Sequence, residues 1–80
     1  MENEKKLQSA FQKGIGISAD VDFETLKYAQ TEGWDSIAHM ALIAAIEEEF
    51  DIMIDTDDVI AMSSYPIAKE ILKKYEVAIA

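Results

Sequence analysis

The residues able to do chemistry are few, and their spacing narrows what they can do. The 80-residue chain has no Cys and a single His, His39. That removes thiolate nucleophiles, Cys-ligated metal sites and His-cluster metal sites. The candidate nucleophile is Ser36, in the run Gly33-Trp34-Asp35-Ser36-Ile37. His39 follows three residues later, i to i+3 on a helix, which invites a Ser–His dyad. Against the dyad, His39 falls on the core side of its helix, no oxyanion donors are evident, and so small a bundle offers no cleft. A packed imidazole bonded to a backbone carbonyl, or lying against Trp34, is expected instead. By themselves, Asp35 and Ser36 read as a helix cap. The acidic stretch from Asp51 to Asp58 suggests calcium, but Asp51, Asp55, Asp57 and Asp58 have neither the spacing nor the Gly of an EF-hand loop. No metal site is expected.

The elements that must hold these residues follow from apolar spacing. Leu7, Ala10 and Phe11 form an i, i+3, i+4 stripe, which predicts a first helix over 2–13 with Gly14 and Gly16 as its stop. Residues 14–34 read as a long loop, pinned by Ile15, Ile17, Val21, Phe23 and Leu26, with one helical turn over 23–26. Asp35 is a natural N-cap for a second helix running to Phe50. At about 100° per residue, His39, Leu42, Ile43, Ile46 and Phe50 share the core side. Ile37, Met40, Ala41, Ala44, Glu47 and Glu48 share the other, an odd mixture for a merely solvated face. Residues 52–54 read as a buried connector. Asp55 or Thr56 caps a short third helix through Ala61, with Asp57 and Asp58 in its first turn, where the dipole favours them. Ser63-Ser64-Tyr65-Pro66 starts a fourth, with Ile67, Ile71, Leu72 and Tyr75 as its stripe. The expected fold is all-α: a four-helix bundle in one domain, 1–80, with a short third helix and a long first loop.

Charge is unevenly placed. Seven Lys stand against sixteen Asp and Glu, a net charge of −9. Residues 20–58 hold twelve of those carboxylates and only one Lys, Lys27. Such a surface repels phosphate backbones, so no nucleic-acid partner is expected, and a field of one sign steers basic partners. Half the residues are apolar, which supports a folded core. The densest apolar run, 40–46, is far too short to span a bilayer. The N-terminus is charged, with no apolar stretch behind it. A soluble, cytoplasmic monomer that presents something on its surface is the expectation.

Gly33-Trp34-Asp35-Ser36-Ile37, opening a helix that ends Glu47-Glu48-Glu49-Phe50-Asp51-Ile52, resembles the acyl carrier proteins. The likeness covers nearly the whole chain in its order of elements: the long loop, the helix, the Glu-rich exit and the short acidic helix. It implies that Ser36 accepts 4′-phosphopantetheine from coenzyme A, and that the arm's thiol carries acyl groups as thioesters. A helix N-terminus suits the attached phosphodiester, and a chain without thiols needs an imported one for thioester chemistry. The resemblance also implies no catalysis by the chain itself. Its implied partners are a phosphopantetheinyl transferase and acyl-processing enzymes with basic docking patches. Asp35, Ile37, Met40, Glu47 and Glu48 match positions used in that docking.

Two departures shift the expected pathway. Carriers of fatty-acid synthesis commonly have acidic residues two and five positions after the Ser, where this chain has Ala38 and Ala41. Trp34 and His39 look more like free-standing carriers of specialised biosynthetic clusters. Ala41, Ala44 and Ala45 are expected to leave room for an acyl chain. The alternatives are a peptidyl or aminoacyl carrier and an acidic interaction module that is never modified.

Overall fold

Helix α1, Glu2–Ile15, buries Leu7, Ala10 and Phe11 completely, the stripe its spacing predicts. The computed structural model describes residues 2–18 and 20–77. The predicted domain also includes residues 1, 19 and 78–80, which lie outside that description. Three more helices follow: α2 (Ser36–Phe50), α3 (Thr56–Ala61) and α4 (Tyr65–Lys73), with one 3-10 turn, Phe23–Thr25, in the first loop. Among the described residues there is no strand, only an isolated bridge between Lys27 and Ser64. The all-α bundle with a short third helix is the architecture expected.

α1 runs two residues further than predicted, and its two glycines have different roles. Gly14 does not stop the helix. A Cβ there would come within 2.7 Å of the Leu42 amide nitrogen, so its missing side chain lets α1 press against the α2 backbone. Gly16 is the stop, with φ +79° and an N–H donating to the Gln12 carbonyl at 2.9 Å. The loop beyond is pinned as expected. Ile15, Phe23 and Leu26 are buried, Ile17 and Val21 pack against them, and Asp22 caps the 3-10 turn through the Glu24 amide.

α2 has the predicted bounds, because a capping Asp precedes an unbroken run of helix formers. His39, Leu42, Ile43 and Ile46 are buried on its core side. Phe11 ties this core together, with edge contacts to Trp34 at 5.5 Å and to Tyr65 at 5.2 Å. Two predicted details are corrected. The connector over 52–54 buries only Ile54, while Met53 is 85% exposed. In α4 the buried stripe is Tyr65, Ala68, Ile71 and Leu72, and Ile67 is 39% exposed. Tyr65 sets that face, and Ile67, two residues on, is rotated about 200° away from it.

Candidate functional site

A short, densely bonded turn delivers Ser36. In residues 27–34 the Thr31 amide donates to the Lys27 carbonyl at 2.9 Å, the Lys27 amide donates to the Thr31 hydroxyl at 2.8 Å, and the Ala29 amide donates to the Trp34 carbonyl at 2.9 Å. Gly33 sits at φ +89°, where a Cβ would meet the Ile15 carbonyl at 3.1 Å. The turn therefore needs glycine there on two counts. Trp34 then plunges into the core at 1% exposure. Asp35 caps α2 as predicted, its Oδ1 accepting from the Ala38 amide at 2.9 Å. Ser36 is the first helical residue and is exposed. Its own amide and that of Ile37 precede the first helical hydrogen bond, from His39 to Asp35, so they are donors with no acceptor within the helix.

His39 is not a partner for Ser36. The Trp34 indole Nε1–H donates to its Nδ1 at 2.9 Å, and its Nε2 lies 2.7 Å from the Val59 carbonyl. The Trp34 and His39 ring planes are within 22° of each other with centroids 6.0 Å apart, a side-by-side arrangement suited to an in-plane N–H···N bond. With both nitrogens engaged, neither is free to take a proton from Ser36. The expected packed imidazole is found, and it makes both of the contacts anticipated for it.

Beside Ser36 opens a mainly apolar cavity of about 320 Å³, lined by Tyr28, Ser36, His39, Met40, Val59, Ile60 and Met62. This corrects the space expected beside Ala41, Ala44 and Ala45. None of these three lines the cavity; Ala41 and Ala44 are exposed, and Ala45 packs against the core. The cavity lies between the start of α2 and α3, so its lining depends on tertiary contact between segments about twenty residues apart. The sequence offered one clue to it: Val59-Ile60 is an apolar pair inside an otherwise acidic short helix.

The remaining predicted residues divide by environment. Ile37 (82% exposed) and Met40 are large apolar side chains open to solvent on α2, and Ile60 (76%) is their counterpart on α3. Glu48 is exposed. Glu47 is half-buried, and its Oε2 accepts the Ile54 amide at 2.9 Å, bracing the exit from α2. Asp58 was read only as a first-turn helix charge, yet it is buried. Lys74 Nζ donates to its Oδ1 at 2.5 Å and the Tyr75 hydroxyl to its Oδ2 at 2.6 Å; the same hydroxyl accepts from the Asp55 amide at 2.9 Å. Asp55 stands at the N-cap of α3 but makes no capping bond with its side chain. The bond from Lys74 first, and that from Tyr75 second, hold the Asp58 carboxyl below the usual carboxylate range. The same ion pair raises the Lys74 ammonium above its ordinary value. Among the described residues, no group of three or more His, Cys, Asp or Glu is placed to hold a metal ion, and no helix is long and apolar enough to cross a membrane.

The chain is 34% identical, over 68 residues, to a protein named acyl carrier protein from Cyanidium caldarium, an alignment that covers 85% of this chain and 79% of that one. No family model matches the chain, and no solved structure gives a match.

Proposed function

The chain belongs to the acyl carrier protein family, a family of carriers and not of enzymes, and from that premise we propose that Ser36 is its attachment point for 4′-phosphopantetheine. One observation carries the proposal: an exposed hydroxyl on the first residue of α2, after a densely hydrogen-bonded turn, at the edge of an apolar cavity. The site suits the group. The free amides of Ser36 and Ile37 and the helix dipole favour a phosphodiester there, and the cavity has room for an apolar cargo. When bound, the arm supplies a terminal thiol for thioester chemistry. The chain's own residues do the rest: Asp35 holds the helix start in place, the turn keeps Ser36 accessible, and Tyr28, Met40, Val59 and Ile60 exclude water from the cargo.

In this reading one domain serves a succession of enzymes. Asp35, Ile37, Met40 and Glu48 form the docking face for a phosphopantetheinyl transferase and for acyl-processing enzymes with basic patches. Glu47 adds charge to that face while bracing Ile54. Tethering makes each delivery effectively intramolecular, and docking through screened charges lets partners exchange. Ala38 and Ala41 make the start of α2 less acidic, which supports service in a specialised pathway. A monomer suits that shuttling role.

Coexpression with a broad-specificity transferase tests the assignment. A single adduct that maps to the peptide containing Ser36 and disappears in Ser36→Ala is the expected result. A folded chain that stays unmodified with several transferases would favour the interaction module instead. Loading of the modified chain with an amino acid by an adenylating enzyme would favour the aminoacyl carrier.

A further inference from the structure

His39 joins three parts of the site that are otherwise separate. Its Nδ1 accepts from Trp34, in the turn that ends at Ser36; its ring belongs to α2; and its Nε2 reaches the carbonyl of Val59 in α3. The indole N–H can only donate, so Nδ1 carries the lone pair. Nε2 then carries the proton and donates to Val59. One neutral tautomer satisfies both bonds. The Val59 carbonyl sits in the last turn of α3, where helical acceptors lack partners, so the imidazole also acts as a cap.

α3 needs such a tie. Six residues are too few for a helix to hold itself in water. It is clamped on one side through Asp58 by Lys74 and Tyr75, and on the other through Val59 by His39. The His39 bond is the one on the cavity side, since His39 and Val59 both line the cavity. A group that fills the cavity meets Val59 in its wall, and the route from Val59 to the Ser36 turn runs through two hydrogen bonds, both made by the His39 ring.

We infer that His39 is a positioning residue that links the α3 wall of the cavity to the turn presenting Ser36, so that filling the cavity is transmitted to Trp34. The link to a cargo rests on the carrier reading; the link between His39 and α3 does not. Two measurements on the unloaded chain address the second. Long-range proton–nitrogen NMR of the imidazole should show a protonated Nε2 and a bare Nδ1. His39→Leu should lower amide-exchange protection of residues 59–62 roughly tenfold, leaving that of residues 42–46 in place. His39→Gln, which retains a donor for Val59 and an acceptor for Trp34, should restore most of it. If His39→Leu does not fold, Trp34→Phe keeps a ring while removing the indole N–H, and should lower the same protection by a smaller factor.

With an octanoyl group carried as a thioester on a phosphopantetheine arm at Ser36, fluorescence of Trp34, the sole Trp of the sequence, should change between the holo and acyl forms. The change should vanish in His39→Leu and persist in His39→Gln. An Nδ1–H tautomer, a loss of protection spread evenly over α1, α2 and α3, or a cargo-dependent Trp34 signal unaltered by His39→Leu would overturn the inference. Failure to load Ser36 would count against the carrier reading, while the tautomer and exchange results would still decide the role of His39.

Discussion

The two walls of the cavity are built in opposite ways. The Ser36 side rests mainly on backbone: a turn closed largely by main-chain hydrogen bonds, a glycine at φ +89° whose Cβ would crowd the Ile15 carbonyl, and a fully packed Trp34 that leads into a fifteen-residue helix. The α3 side rests on side chains: a six-residue helix held by His39 at one edge and by Lys74 and Tyr75 at the other. Backbone-built structure resists deformation, because moving it breaks many bonds together, while structure hung on a few side-chain bonds opens at a lower free energy. On the proposed assignment, that difference puts Ser36, the anchor, on the fixed wall and the adjustable volume on the other.

Breaking the fixed side should have the largest effect. Phe11→Ala removes the ring shared by α1, Trp34 and Tyr65 and should lower stability by about 3–5 kcal/mol, read by denaturant unfolding. Gly14→Ala forces a methyl group against the Leu42 backbone and should cost about 1–3 kcal/mol, with exchange protection falling in α1 and α2 together. Both would unsettle the whole bundle, Ser36 included.

Breaking the adjustable side should be local. Asp58→Asn removes the charge that pairs with Lys74 and should lower exchange protection in α3 well before that in α1 or α2. Acid should act in the same direction. Because the folded Asp58 carboxyl lies below its usual value, its contribution is fully present above about pH 4 and is lost as pH falls through the folded value. The Lys74 ammonium, raised by the same pair, gives its contribution below the ordinary Lys range and loses it as pH rises through the folded value. The α3 clamp should therefore hold across neutral pH and loosen at both extremes, which a pH series of amide exchange would show. Loss of protection in α1 at the same pH as in α3 would contradict the division.

The smallest change in stability should come from the docking face. Glu48→Gln should alter stability by less than about 0.5 kcal/mol. It should nonetheless weaken association with a basic transferase several-fold at low salt, with the difference fading as ionic strength rises. Glu47 separates the two roles of one carboxylate: Glu47→Gln keeps an acceptor for the Ile54 amide and removes the charge, while Glu47→Ala removes both and should cost about 1 kcal/mol more.

What could be read in the sequence follows the same division. The bounds of α2, the cap at Asp35, the exposure of Ser36 and the inward set from His39 to Ile46 rest on neighbours within a few residues, so propensity and periodicity reveal them. Gly14 was misread because a glycine near a helix end resembles a stop; only the approach of Leu42 shows its use. Asp58 does stand in the first turn of α3, as its sequence position implies, but its burial and pairing were not legible: a first-turn Asp satisfies the dipole rule wherever it points, and its partners lie sixteen and seventeen residues away. The cavity could not be located, because its lining comes from the first loop, α2 and α3 and depends on how these pack together.

The central claim, that this carrier holds its cargo arm on Ser36, is tested most directly by intact-mass measurement after incubation with coenzyme A, magnesium and a phosphopantetheinyl transferase. Complete conversion of the wild-type chain to a single phosphopantetheine adduct, with Ser36→Ala unchanged in mass, is the predicted result. A folded wild-type chain whose mass does not change, or an adduct that persists in Ser36→Ala, would contradict it.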